Sequence, residues 1–523
     1  MTIVHRKNAF LGNVQCVGMN ERLNKYIECR KAVFHGMSNA HPDDFDYSYY
    51  DYDLSYRFHN ASLSSNVPSW PSFARIVLVI LLRIGFVLIH VGSVPVNNVN
   101  LILLQNIIDV CWVTVAFIMI GFIIAYNGDV SGTIGEGYWI GDGTVDKDEA
   151  IIGWSAVVIA AAICTCGIVG RTHTVGYLVI GFILAALMQP LLIHWIWTPK
   201  GWMKRNVLSG RNVKFRDYAG STVVHLVGGL SGLIGCMTLG RRILQLSAID
   251  DASIAAGTSG TVFAGQLMVF IGLQSLGMPN ERFKTRSKIQ YNVYLNNLLA
   301  ASSCSLLVVA FHFVLTEEAF NHWTVMRCVQ ATVAGLVIVS AGTDFYSPLA
   351  AIGLGSTGSV IFYFISRLVF HSALEDYCNI VAIHLVCALF GSILAPLFDT
   401  GQDADVVLIL LNFSWQLIGL IVTIFIVSIV MCIAFIVLKF LDLLRNRTEH
   451  LNHLRARIAM ERNPQTSFLR RIFYTDDESI YLQPGSMSNS GHRPQTSSHV
   501  IKYQNEGAAV EKGRVIEASA TGI

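Results

Sequence analysis

The chain is poor in charge. Asp, Glu, Lys and Arg make up only 14% of its 523 residues, against roughly 25% in an ordinary soluble domain. Apolar residues make up 53%, and the mean hydropathy is +0.50. A soluble protein cannot bury that much apolar surface and keep a polar exterior, which excludes a soluble enzyme, a collagen-like chain and a disordered chain. Neither sign of charge dominates: 37 basic and 35 acidic residues leave a net charge of +2, which argues against nucleic acid as a partner. The eleven cysteines are scattered, mostly in apolar runs, with no CxxC pairs, so neither a disulfide framework nor a metal motif is expected. No basic–apolar–cleavage pattern opens the chain, and no signal peptide is expected. No Gly-rich phosphate loop is found either, and with it goes any ATP site; no cofactor is expected.

Long apolar runs dominate instead. Three regions separate by composition: a polar tail at 1–73 with the tyrosine-rich run Asp43 to Tyr56, a membrane region at 74–440, and a tail at 441–523. The last opens with the basic, helix-compatible stretch Arg445 to Arg462 and ends in sequence rich in Ser, Gln and Gly, expected to be disordered. A spanning helix needs about 20 mostly apolar residues. Eleven runs qualify: 74–95, 101–127, 151–171, 175–197, 219–240, 258–278, 292–316, 329–343, 346–371, 378–397 and 406–440. The eighth is short, and the last is long enough for a tilted helix that continues beyond the bilayer. The runs do not alternate as β-barrel strands do, so the expected fold is an all-α polytopic membrane protein with eleven spans. The 43 glycines suit helices packed closely in lipid.

Two segments superpose. Asp217-Tyr218, His225-Leu226-Val227, Leu230 and Gly232 recur at the same spacing as Asp376-Tyr377, His384-Leu385-Val386, Leu389 and Gly391. The first set opens the fifth run and the second opens the tenth, so their helices run in opposite directions. That is a 5+5 inverted repeat followed by a long last helix. Each His follows its Asp by eight residues (225 − 217 and 384 − 376), about 12 Å at 1.5 Å per helical residue. Measured from opposite faces of a core about 30 Å thick, both imidazoles approach the midplane. An ionisable group there marks function by default. For His194, His312 and His371 a satisfied core role is expected instead. A haem between the pair needs a wide flat pocket that nothing argues for, and a metal relay needs Cys, Met or carboxylate company, none of which repeats with them. A hydrogen-bonding, proton-accepting pair lining a narrow pore fits best. A colourless purified protein would end the haem reading.

These segments resemble the ammonium transporter family (the Amt/Mep/Rh superfamily) over essentially all of 74–440. The resemblance is carried by Gly85-Phe86 through Gly92-Ser93-Val94, Asn97-Asn98-Val99, Asn106 with Asp109, the run Ala125 to Asp129, Pro190 and His194-Trp195-Ile196-Trp197, and Gly201-Trp202. It is strongest in Asp217 to Ser221, continuing to Gly228-Gly229 and Gly240-Arg241-Arg242. Trp197 and its neighbours favour the Amt branch. The resemblance implies a plasma-membrane homotrimer with one pore per subunit, passing ammonium or ammonia. It implies that Trp197 stacks on the cation, where an indole face offers about 0.5–2 kcal/mol, that Asp217 lies near the outer site, and that His225 and His384 receive the proton so that the neutral species crosses. A bare cation in an apolar pore has lost its hydration, so crossing neutral lowers the barrier. Asp217 is equally expected as a helix N-cap, and the two roles are compatible.

The chain departs from the family where two stacked phenylalanines gate the pore: those positions are Ala156 and Leu276. The outer-site serine falls at Asn280, the Glu before Arg171 is Gly170, and the first-span Glu is His90. A non-conducting ammonium sensor or regulatory subunit of the same fold is therefore the alternative. Arg83 and Asp109 each lie 13 residues from Val96 in the first turn (96 − 83 and 109 − 96), at matched depth in a hairpin, and are expected to pair structurally. An odd span count puts the tails on opposite sides. The sequon at Asn60 favours an outer N-terminus, Asn446-Arg447-Thr448 the reverse, and the basic loop 198–218 does not settle it; the N-terminus is expected outside and the C-terminus in the cytoplasm. Basic outer loops should repel cations, so apparent affinity should improve with salt. Cys16 and Cys29 form a disulfide or remain free thiols. The stretch Arg445 to Arg462 lies on anionic lipid, packs under a neighbouring subunit, or is solvated.

Overall fold

The computed structural model describes residues 70–93, 99–137, 147–240, 256–278, 288–316, 322–372, 374, 376–399 and 405–446, all within the unit Ser69–Ile523. Among these residues the helices are α1 (Trp70–Ser93), α2 (Val99–Tyr126), α3 (Lys147–Cys166), α4 (Thr174–Trp197), α5 (Ser221–Leu239), α6 (Ala256–Leu273), α7 (Lys288–Leu315), α8 (His322–Val339), α9 (Pro348–Phe370), α10 (Val381–Phe398) and α11 (Val406–Phe440). Nine of them are long and apolar enough to cross a bilayer, and α6 and α8 are shorter apolar helices. At α6 the sequence predicts a run to 278. The helix instead stops at Leu273 and continues as tight turns, Gln274 N–H to Ile271 C=O and Gly277 N–H to Gln274 C=O. At α3 the expected end at 171 moves to Cys166, after which the chain continues in tight turns, Gly167 N–H to Cys164 C=O and Ile168 N–H to Thr165 C=O, before Gly170 at a left-handed φ of +70°.

Among the described residues four helices carry a π-helical turn: Phe117–Gly121 in α2, Leu184–Met188 in α4, Ser221–Leu226 in α5 and Val381–Cys387 in α10. In α4 the π turn ends two residues before Pro190 (190 − 188), where a missing N–H would otherwise leave an unmade helical bond. Hydropathy does not distinguish a π turn from an α turn, so none of these was readable from sequence.

α3 and α5 are buried along most of their length, whereas α2, α7 and α11 keep apolar faces outward, for example Ile107, Leu306 and Phe425. That is the pattern of a helix bundle whose solvent is lipid. The 35 residues of α11 extend about 52 Å, beyond a core of about 30 Å.

Among the described residues, a two-stranded hairpin departs from the all-helical pattern. Between α4 and α5, β1 (Arg205–Leu208) and β2 (Arg211–Lys214) pair antiparallel, Arg205 opposite Lys214 and Leu208 opposite Arg211. Ser209 and Gly210 turn the corner with φ of +52° and +73°, as a two-residue hairpin requires. α11 anchors the hairpin. Asn412 accepts from Lys214 N–H at 2.9 Å, Gln416 accepts from Arg216 N–H at 2.8 Å, and the buried Phe215 ring faces Gly419. The tails, with Asn60, Cys16, Cys29 and the stretch from Arg447 to Arg462, lie outside the described residues.

Candidate functional site

The site begins with a turn. Asp217 leads into Gly220, whose φ of +79° suits a residue without a side chain; a Cβ there would also strike Val224. The repeat-equivalent position, 159 residues on (379 − 220), is Asn379, also left-handed at φ +54°, a conformation that Asn tolerates better than most residues. The two halves therefore share backbone geometry as well as the seven identities. Tyr218 N–H and Ala219 N–H donate to the Ala341 and Ser340 carbonyls at 3.1 and 2.8 Å, fixing the first turn to the end of α8.

Each aspartate caps its helix. Asp217 accepts from Thr222 N–H at 2.8 Å and Val223 N–H at 3.0 Å. Asp376 accepts from Ile380 N–H at 2.9 Å and Val381 N–H at 2.8 Å, one repeat position earlier. Trp197, at the end of α4, donates its indole N–H to the Asp217 carbonyl at 2.9 Å and to its Oδ2 at 3.2 Å. This bond fixes the ring beside the carboxylate and leaves its faces to packing or ligand. Burial pushes both carboxyl groups up to about 6, and hydrogen bonds to the charged form only partly oppose it.

Both histidines sit inside the opening π turns of α5 and α10. His225 N–H reaches back to Gly220 C=O at 2.9 Å, the five-residue bond of a π turn. Because helix begins only at Ser221 and Val381, fewer than eight helical steps separate each aspartate from its histidine. The 12 Å expected from sequence assumed eight α-helical steps, a premise the backbone does not meet. The imidazoles meet. His225 Nδ1 and His384 Nδ1 lie 3.1 Å apart, with ring centroids at 5.1 Å and planes inclined by 15°. Both residues are buried, and His225 Nε2 has no partner among the described residues.

The helices cross antiparallel at this point. Ser221 Oγ donates to Ala388 C=O and meets Ser392 Oγ, each at 3.0 Å, Thr222 Oγ1 lies 3.0 Å from Ser392 Oγ, His225 meets His384, and Gly232 faces Ile380. As the number rises on one helix it falls on the other. Gly229 lets the backbones touch: a Cβ there would lie 2.7 Å from Leu385 N. From α4, Gln189 Nε2 donates to Val223 C=O at 2.7 Å within the π turn. At a bond of 3.1 Å one Nδ1 donates and the other accepts, so the neutral pair shares one proton along this line.

The remaining predicted residues fall as follows. Ala156 is fully buried on α3, and Leu276 is buried in the turn after α6; neither is aromatic. Asn280 and Asn60 lie outside the described residues. Arg83 Nη2 is 2.8 Å from Asp109 Oδ2, both buried, and also reaches Asn106 C=O at 3.4 Å. His194 is buried and satisfied, Nδ1 with Ala125 C=O at 2.9 Å and Nε2 with Asp129 at 3.1 Å. His312 is buried and bonds Thr316 at 3.1 Å. His371 is exposed as the C-terminal cap of α9, which ends at Phe370, so it does not take the core role expected for it. Sequence reasoning missed a buried group of His90, Cys166 and Cys378, brought together from three chain segments with no spacing between them to signal it.

Two inverted helices that break at their starts and converge on a buried titratable pair define a polytopic membrane protein of transporter architecture. The profile of the Ammonium Transporter Family matches residues 72–454, and the chain belongs to that family. It is 26% identical over 339 residues to ammonium transporter 1 member 3 of Solanum lycopersicum, a match covering 61% of this chain and 72% of that protein. It is also 26% identical over 335 residues to ammonium transporter 1 member 2 of Oryza sativa subsp. japonica, covering 60% and 66%. The chain thus spans about two thirds of these relatives' length. Among solved structures, a sensor Amt protein aligns with a TM-score of 0.60 at 20% identity, over 73% of this chain and 95% of its own. Saccharomyces cerevisiae Mep2 aligns with a TM-score of 0.59 at 18% identity, over 72% and 86%. These likenesses carry the fold.

Proposed function

We propose that this protein conducts ammonium, as the ion or as ammonia with its proton, through a pore in each subunit of a plasma-membrane homotrimer, with the N-terminus outside. The facing imidazoles of His225 and His384, 3.1 Å apart in a buried setting, carry this reading. Ammonium arrives where Trp197 and Asp217 offer an indole face and a carboxylate, and Asn280 adds a polar group. A desolvated cation is costly in an apolar passage, whereas an imidazole pair takes up a proton and returns it along its own line of hydrogen bonds. His225 Nε2, without a partner among the described residues, is the atom available to the entering species. Release of the proton leaves ammonia, a neutral molecule, to cross.

A second reading is a non-conducting sensor or regulatory subunit of the same fold. It is favoured by Ala156 and Leu276, which are too small or too flexible to form the aromatic gate that the resemblance implies. Two-electrode recording with ammonium in expressing oocytes, paired with surface labelling, separates the two. The conducting reading expects ammonium-dependent current or uptake in the unaltered chain and its loss in His225→Ala and His384→Ala at equal surface expression. A silent parent chain at the cell surface establishes the second reading.

A further inference from the structure

We infer that His90, Cys166 and Cys378 form a binding site for a thiophilic monovalent metal ion, Cu(I). His90 lies near the end of α1, Cys166 is the last residue of α3, and Cys378 sits in the turn before α10. One donor atom from each, an imidazole nitrogen and two Sγ atoms, lies within 4.8 Å of the others, and all three residues are buried. His90 Nε2 already faces Cys166 Sγ at 3.1 Å. An ion at the centre of the triangle reaches every donor with small side-chain adjustments.

Donor type and number select the metal. Two thiolates and an imidazole are soft ligands, which favour Cu(I) and Zn(II) over hard cations. A structural zinc site takes four protein ligands, and among the described residues no fourth His, Cys, Asp or Glu joins the group. Three donors complete a trigonal Cu(I) shell. Binding replaces both thiol protons, which pass to water, and no electron is transferred. Ligation through Nε2 places the imidazole proton on Nδ1. The Asn106 amide, whose Nδ2 now lies 3.3 Å from Nδ1 and donates to Ile102 C=O at 2.9 Å, must turn its oxygen to accept that proton.

The site also couples to the histidine pair by position. Cys378 is two residues past the cap Asp376 and six before His384 (384 − 378). Gln330 holds the same turn, donating to Cys378 C=O at 3.3 Å and accepting from Asn379 at 2.5 Å. A bound ion therefore ties the start of α10 to α1 and α3.

The test loads the full purified chain with Cu(I) under reducing conditions, challenges it with a Cu(I) chelator, and measures retained metal. The unaltered chain and Cys236→Ser, a buried thiol outside the group, should each retain about one Cu(I). Cys166→Ser and Cys378→Ser should lose it at least about tenfold more readily, and His90→Gln should weaken it by less. X-ray absorption on the unaltered chain, which needs no variant to fold, should show mixed sulfur and nitrogen ligation. Absence of retained Cu(I) in the parent, equal retention in all variants, or displacement of Cu(I) by Zn(II) would overturn the assignment.

Discussion

At the scale of single residues, the two capping aspartates are the carboxylates closest to the histidine pair in sequence. The Asp217 carboxyl titrates at about 6 because burial outweighs the two backbone N–H bonds and the Trp197 bond. If it attracts the cation, apparent ammonium affinity should fall as pH drops from 7 to 5, and uptake kinetics across that range check it. Asp217→Asn should start about tenfold weaker, as expected for loss of a charged hydrogen-bond partner, and lose most of that pH dependence. An unchanged slope would assign the titration elsewhere, Asp376 first. Linkage gives the same residues an effect on stability. The folded chain binds these protons up to about pH 6, whereas the ordinary carboxyl value is 3.8. Between those values the folded state holds more protons, so stability falls as pH rises through the window. The buried Arg83–Asp109 pair, at 2.8 Å, makes a separate prediction. Asp109→Asn or Asp109→Ala strands a buried guanidinium and should lower stability by about 3–5 kcal/mol, while Arg83→Leu with Asp109→Leu should recover most of it. Thermal unfolding of the purified variants measures both, and a stable Asp109→Asn chain would remove the structural role. The pair was legible because equal distances from a turn imply equal depth; the His90 group was not, because its members share no turn, repeat or spacing.

At the scale of elements, the contact between α5 and α10 makes the site. Seven identities at fixed spacing exposed the repeat, since side-chain identity is what sequence records. The left-handed pair Gly220 and Asn379 was half visible, as glycine in one copy and asparagine in the other. The π turns were invisible: a π turn changes backbone bonding while leaving apolar periodicity nearly intact over so few residues. The depth arithmetic therefore assumed α-helical steps that the backbone does not take, while the repeat placed the right residues together. The crossing predicts a specific sensitivity. A side chain at 229 meets Leu385 N at 2.7 Å and His384 C at 2.9 Å, backbone atoms that cannot rotate aside. Gly229→Val should push the helices apart, separate the imidazoles and cut ammonium uptake more than about tenfold, the scale of effect expected from small misplacement at a functional site. Gly353→Ala on α9, where a Cβ meets nothing within 4 Å, should leave uptake within about twofold, the range of ordinary surface changes. Equal activity of the two variants would show that close approach at Gly229 is not needed.

At the scale of the whole molecule, the basic loop between α4 and α5 would, under the proposed conduction, act on a cation that approaches Trp197 and Asp217. Sequence counts six cations there: Lys200, Lys204, Arg205, Arg211, Lys214 and Arg216. Structure reduces the count. Arg211 pairs with Asp405 at 2.5 Å, and Arg216 pairs with Asp399 and stacks over Phe345 at 5.0 Å; burial lowers Lys204 to about 8, which still leaves it mostly charged at pH 7. The acidic partners lie 194 and 183 positions away in the chain, so no local reading of the loop could have included them. Repulsion of an approaching cation then comes mainly from Lys200, Lys204, Arg205 and Lys214. Raising ionic strength from about 0.01 to 0.15 M shortens the screening length from about 30 to about 8 Å. Apparent ammonium affinity should therefore improve, but by no more than about threefold, because exposed charges interact weakly. Asp405→Asn uncovers Arg211 and should steepen the salt dependence. Uptake at low ammonium across that salt range, in both chains, decides the matter: an affinity that falls with salt would mean that the carboxylates, Asp217 among them, outweigh the loop and draw the cation in.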